Sequence, residues 1–385
     1  MGKKAVFGTH FYWDSYIHIG SHQYAKQFAR NGYRVGYISE PISPLHYVFA
    51  KDRGTLKEKS RYWYSGGKQV ENGKIWAYVP FTLLPIYNKT LLRSKYVIKY
   101  SHRFTLPSLK QMLKKNNLNC VDILFLDEAY GCLLDLVHHN KSVLRIHDDI
   151  SFLFDKGLRH FLENEKEIVQ KVDLVAVVSK LIKEQAKELG ARKILYLPNG
   201  VEFEHFQLGS NELPEEYKSI PAPRVVYVGS ISDWFDIDLI EYVGNKLPEV
   251  SFVLIGKPTI DTSRIACLSN VHILGPRSYN TLPQYLKNSD IGIMPFRLID
   301  RIKSSHPNKL YQYMACNLPV VSIRWKELED MRSPAYLASD YQEFAMLIEK
   351  ALNEKNQNKY IEFAKANSWA NRFKELLSTL YPSQM

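Results

Sequence analysis

Residues 4–39 read KAVFGTHFYWDSYIHIGSHQYAKQFARNGYRVGYIS, and this stretch decides the fold class. Lys4–His10 has the apolar run of a short buried strand. Ser21–Asn31 sets Ala25, Phe28 and Ala29 on one helical face, with Gly32 following as a stop. Arg34–Ser39 is a second strand, ended by Pro41. A strand, helix, strand succession is the building block of a parallel sheet.

Outward from it the same rhythm continues. Val121–Leu126, Val143–His147, Leu174–Val178 and Ile194–Leu197 are short uninterrupted apolar runs, which mean strands covered on both faces. A polar, proline-bearing segment, Gly209–Pro223, then separates a second series: Arg224–Gly229, Ser251–Gly256, Val271–Leu274, Ile291–Pro295 and Leu318–Ile323. A helix around Asp238–Leu247 follows the first of these strands. The expectation is an α/β chain of two Rossmann-like domains with the break near residues 200–223, and 385 residues suit that number.

The bulk properties bound the function. A hydrophobic fraction of 45% and a charged fraction of 24% belong to a globular chain, not a disordered one. Cys120, Cys132, Cys267 and Cys316 form no metal-type pair and fit a reducing, cytoplasmic setting. Thr9 and His10 interrupt the first apolar run, so no signal peptide is expected, and nowhere do eighteen apolar residues run together. Charge is concentrated: residues 51–118 carry fifteen Lys and Arg against three acids, so this one stretch accounts for the chain's net +11. Tyr62, Trp63, Tyr64, Trp76, Tyr78 and Phe104 are interleaved with those cations. Such a pattern suits an anionic, partly apolar lipid surface. It also suits nucleic acid, or simply a solvated face with ordinary core aromatics.

In paired α/β domains ligands bind at the carboxyl ends of the strands. Gly229-Ser230 ends the first strand of the second series, where glycine lets a backbone approach a diphosphate. Residues 303–322, KSSHPNKLYQYMACNLPVVS, place a helix after Pro307, with Ser304 and Ser305 before it and Lys309 as a point charge for phosphate. Asp236 and Asp238 resemble a metal-binding pair, but acids at a helix start more often cap it, and that reading is preferred. In the first half, Arg145-Ile146-His147-Asp148-Asp149 closes a buried strand. One of its adjacent acids is positioned to supply a general base, with Asp148 ranked first and Asp149 as a helix cap. His10, His18 and His22 rank below Asp148, with His22 retained as a catalytic candidate.

The order of several motifs resembles the GT-B glycosyltransferases. Pro198-Asn199-Gly200-Val201 with Phe206 is similar to the junction before their second domain, and Tyr227-Val228-Gly229-Ser230 to the opening of their donor domain. Leu274-Gly275-Pro276, Tyr279 and Asp290–Phe296 look like the stretch near the nucleotide base. Pro307-x-Lys309-x-x-Gln312-Tyr313 looks like the diphosphate and ribose segment, and Ser368-Trp369 like the start of the last helix. Within that superfamily the chain is similar to bacterial surface-polysaccharide enzymes, the teichuronic-acid pathway glycosyltransferases and the xanthan-pathway glucuronosyltransferase. Two positions depart from the retaining relatives, which carry Glu where Ser304 and Gln312 stand here, so the stereochemical course is open.

The resemblance implies two Rossmann-like domains facing a central cleft: 1–205 for the acceptor, 206–365 for the nucleotide sugar, and 366–385 as a helix returning to the first domain. It implies a UDP-sugar donor met by Gly229, Ser230, Lys257, Pro276, Tyr279, Ser304, Ser305, Pro307, Lys309 and Gln312. The nucleotide sugar is a substrate; no cofactor and no metal are expected. The acceptor would be a lipid-linked or polysaccharide glycan, reached by peripheral contact with the anionic inner face of the plasma membrane, with no nucleic acid partner. The alternatives are a UDP-sugar 2-epimerase on the same fold and, less well matched, a nucleic-acid-binding protein.

Overall fold

The computed structural model describes residues 2–15, 19–50, 52–84, 92, 95–127, 131–147, 159–354 and 358–382. They form two compact units, one of residues 1–198 with 373–385 and the other of residues 199–372.

In the first unit, among the described residues, eight strands make one sheet in the order β3-β4-β2-β1-β5-β6-β7-β8. They are β1 (Lys4–Thr9), β2 (Arg34–Ser39), β3 (Lys68–Val70), β4 (Ile75–Tyr78), β5 (Cys120–Asp127), β6 (His138–Ile146), β7 (Leu174–Val177) and β8 (Ile194–Tyr196). Every pairing is parallel except β3 with β4. The central strands are buried because their apolar runs meet helices on both faces. Phe7 of β1 stacks on Phe125 of β5 at 4.8 Å and meets Phe28 of helix Gly20–Arg30 edge-on at 5.5 Å. That helix ends where expected, at Gly32, whose φ of +85° is open to glycine at no steric cost. Phe28 also packs against Phe373 at 4.8 Å, and the Lys193 ammonium donates to the Thr379 carbonyl, so the C-terminal segment completes this unit.

The basic stretch carries structure that its composition hid. It holds helix Arg53–Tyr64, the β3–β4 hairpin and helix Leu109–Lys115. Trp76, Tyr78 and Tyr62 are core residues, whereas Tyr64 is 74% and Phe104 48% exposed. The interleaved aromatics therefore divide between a core and a surface, which one-dimensional counting cannot separate.

In the second unit the order is β11-β10-β9-β12-β13-β14, all parallel. The strands are β9 (Arg224–Val228), β10 (Ser251–Ile255), β11 (Val271–Ile273), β12 (Ile291–Met294), β13 (Val320–Ile323) and β14 (Tyr336–Ala338). Numbered within the unit, this is 3-2-1-4-5-6, the doubly wound order whose crevice opens between the first and fourth strands. Here that switch point lies between the carboxyl ends of β9 and β12. Asp236 caps helix Ile237–Lys246 through the Leu239 amide at 3.1 Å and accepts from the Tyr341 hydroxyl at 2.8 Å, so it is an N-cap.

Candidate functional site

At the end of β9 the chain turns through Gly229-Ser230, beside Gly256 at the end of β10. A Cβ on Gly256 would lie 1.8 Å from the Gly229 carbonyl oxygen, and one on Gly229 would lie 2.3 Å from Lys309 Cε. Glycine at both positions is what lets two strand ends and a lysine converge. The Gly229 amide donates to the Ile255 carbonyl at 2.8 Å and the Ile231 amide to the Lys257 carbonyl at 3.1 Å. Between them the Ser230 amide makes no hydrogen bond among the described residues. The peptide before Ser230 is trans, and its carbonyl faces Gly256, so the Ser230 N–H points to the opposite side.

Lys309 comes from the first turn of helix Asn308–Ala315, whose N-cap is Pro307. Its ammonium lies 5.5 Å from the Tyr227 ring centre and 5.7 Å from that of Phe296, and among the described residues it has no ion pair or hydrogen bond. Burial in this apolar cage pulls its pKa down to about 8. A cation to which the described residues offer no counter-ion, next to an amide they leave unpaired and the first-turn amides of a helix, is an arrangement that suits an anion. Gln312, one turn on, is half-buried and makes no side-chain hydrogen bond among the described residues.

The other expected donor contacts fall differently. Ser304 and Ser305 donate both their amides and their hydroxyls back into the turn Asp300–Lys303, so those N–H groups are already engaged. Lys257 and Pro276 are exposed just past β10 and β11, and Tyr279 stacks flat on His205 at 4.6 Å. Asn199 of the Pro-Asn-Gly junction donates its side-chain amide to the His306 carbonyl at 2.8 Å, pinning the segment that leads into the Lys309 helix. The sequence flagged Asn199 as a family mark; its partner 107 positions away is legible only in the structure.

In the first unit Asp148, Asp149 and His18 lie outside the described residues. His22 is fully buried. One ring nitrogen accepts the Ile19 amide at 3.3 Å, and the other lies 3.2 Å from the Tyr12 carbonyl. It thus ties the Ile19 amide and the Tyr12 carbonyl to its helix, a structural use of the ring. Two clusters occupy the strand ends, of which sequence reasoning named Arg145, His147 and His10 but not their acidic partners. Asp127 closes β5 fully buried, accepts the Ser21 hydroxyl, and lies 3.8 Å from Arg145 Nη1 of β6 and 4.0 Å from His147 Nδ1. Gly20 is small enough for this arrangement, since a Cβ there would come within 2.6 Å of Arg145 Cζ. His10 after β1 bonds Glu40 after β2 at 2.6 Å. Burial pushes the Glu40 carboxyl up, but His10, Lys59 and His46 outweigh it and hold it below its ordinary value. The one sequence signal for Asp127 was an acid ending a buried apolar run.

Residues 6–178 match the family described as the N-terminal domain of glucuronosyltransferase GumK, and residues 222–354 match the glycosyl transferases group 1. The chain has the GT-B fold, and each of its two halves matches a glycosyltransferase family model over part of its length. As a GT-B chain it resembles sucrose-phosphate synthase from Thermosynechococcus elongatus, with a TM-score of 0.67 at 13% identity over 99% of this chain and 100% of that one. HepE of Anabaena, solved with UDP, gives 0.62 at 14% identity over 98% and 100%. At such identities the likeness is one of fold. The teichuronic acid biosynthesis glycosyltransferase TuaH of Bacillus subtilis (strain 168) is 26% identical over 232 residues, 55% of this GT-B chain. The chain spans 58% of TuaH's length. Among the described residues no helix is long and apolar enough to cross a membrane, and no group of three or more His, Cys, Asp or Glu side chains is placed to hold a metal ion.

Proposed function

We propose that the chain transfers a sugar from a UDP-sugar to a lipid-linked or polysaccharide acceptor in cell-surface glycan assembly. The observation that carries this reading is the Lys309 ammonium, lacking a counter-ion among the described residues, beside the Ser230 amide at the switch point of the second unit. There the two groups meet the diphosphate and stabilise the charge that develops on it as the glycosidic bond breaks. Gln312 faces the ribose in this reading, and no metal is called on. On an inverting course Asp148 is the base for the acceptor hydroxyl; on a retaining one it positions the acceptor.

The matches to GumK and TuaH support a surface-glycan setting. Membrane contact is supported by Val48, Phe49, Tyr64, Leu83, Phe104 and Leu106, large apolar side chains exposed on the unit that carries the basic stretch. A thermal-shift panel of nucleotide sugars tests the donor, since a ligand of the native state raises its melting temperature. UDP-sugars are expected to shift it more than GDP- or CMP-sugars, and no shift with any of them refutes the reading. Co-sedimentation with phosphatidylglycerol vesicles at low salt tests the membrane contact, and protein left in the supernatant refutes it. Consumption of a UDP-sugar without any acceptor, yielding its epimer, is the outcome that favours the 2-epimerase.

A further inference from the structure

Two tyrosine hydroxyls grip the Gly229-Ser230 loop from beneath. β12 pairs with β9 only as far as Val226, so the Val228 amide lies beyond that ladder. It donates instead to the Tyr313 hydroxyl at 2.8 Å. Tyr313 reaches it from the Lys309 helix because residue 292 of β12 is glycine; a Cβ there would stand 2.3 Å from Tyr313 Cδ2. On the other side of the loop, Tyr227 donates its hydroxyl to the Ser230 carbonyl at 2.8 Å and presents its ring to the Lys309 ammonium at 5.5 Å. Burial pushes both phenols up, so both keep their protons at neutral pH. The Val228 amide and the Ser230 carbonyl, with the Gly229 amide held by Ile255 between them, restrain the two intervening peptides and with them the direction of the Ser230 N–H.

We propose that Tyr227 and Tyr313 are positioning residues for the donor's diphosphate, their hydroxyls aiming the Ser230 amide at the same anion that Lys309 meets. This rests on the reading of the second unit as the donor site. Neither hydroxyl is asked to touch substrate. Each removes alternatives open to the loop, so the amide meets the anion without reorganising. Tyr227 serves twice, since its ring flanks the ammonium while its hydroxyl holds the loop.

Tyr→Phe at each position keeps the ring and deletes only the hydroxyl. Calorimetric titration of the full chain with UDP and, separately, with uridine at pH 7 reads the effect. Tyr227→Phe and Tyr313→Phe should each lower UDP affinity about fivefold or more, in line with one lost hydrogen bond, and leave uridine affinity unchanged. The split between the two ligands is what a merely structural role does not produce. Equal losses for UDP and uridine, or no loss for UDP, overturn the proposal. Should burial make Tyr313→Phe fold poorly, Tyr227→Phe carries the test alone. A wild-type chain that binds no UDP instead overturns the donor-site reading itself, a result distinct from wild-type binding with unaffected variants.

Discussion

Replacing Lys309 by Met should make the protein more stable and at the same time deprive it of its donor. The side chain is caged by Tyr227, Phe296 and the Gly229 backbone, and burial lowers its pKa from 10.5 to about 8. At roughly 1.4 kcal/mol per unit of pKa, keeping it charged in the folded state costs up to about 3 kcal/mol. Solvent on its exposed side trims this to about 1–3 kcal/mol. The sign follows from proton binding. Below pH 8 folded and unfolded states both carry the proton, and the whole penalty acts. Between pH 8 and 10.5 the unfolded state binds more protons, so this group's contribution to wild-type stability rises with pH. Lys309→Met is therefore expected to melt a few degrees above wild type at pH 7, with the gap closing toward pH 10. Differential scanning calorimetry with and without 1 mM UDP measures both halves: wild type gains stability from UDP, and the variant gains little. A variant less stable than wild type at pH 7, or one that UDP stabilises fully, refutes the reasoning.

Three further outcomes follow from the same geometry. UDP-glucose affinity should fall about tenfold between pH 7 and 9 as Lys309 loses its proton, while Lys309→Arg, which stays charged, should flatten that profile in isothermal titration. Gly256→Ala meets a backbone oxygen at 1.8 Å and should lose about 3 kcal/mol in urea unfolding, whereas Gly229→Ala meets the end of a flexible lysine and should lose UDP affinity first. His22→Ala should cost about 1–3 kcal/mol of folding stability, because it strips partners from a part-buried amide and a buried carbonyl. Its UDP affinity should stay that of wild type, and weakened UDP binding by a folded His22→Ala chain counts against its purely structural role.

The sequence by itself determined the class of fold and the place of the Gly229-Ser230 turn at the end of β9. Apolar runs of four to six residues between amphipathic segments specify parallel strands because local burial on both faces leaves no other pattern. For the same reason Gly229, Pro307 and Lys309 were legible: each stands next to a strand end or helix start that its own neighbours define. β3 and β4 were not, because they lie in a stretch dominated by charge, nor was β14, a half-buried edge strand without a run of buried residues. The long-range partnerships within each unit belong to tertiary structure alone. Tyr313 reaches Val228 across 85 positions, Asn199 reaches His306 across 107, and Ser21 reaches Asp127 across 106. Whether a hydroxyl or carboxylate faces a substrate, a helix turn or a buried arginine depends on which strands lie side by side. That order follows from packing the whole sheet, and no short window of sequence contains it.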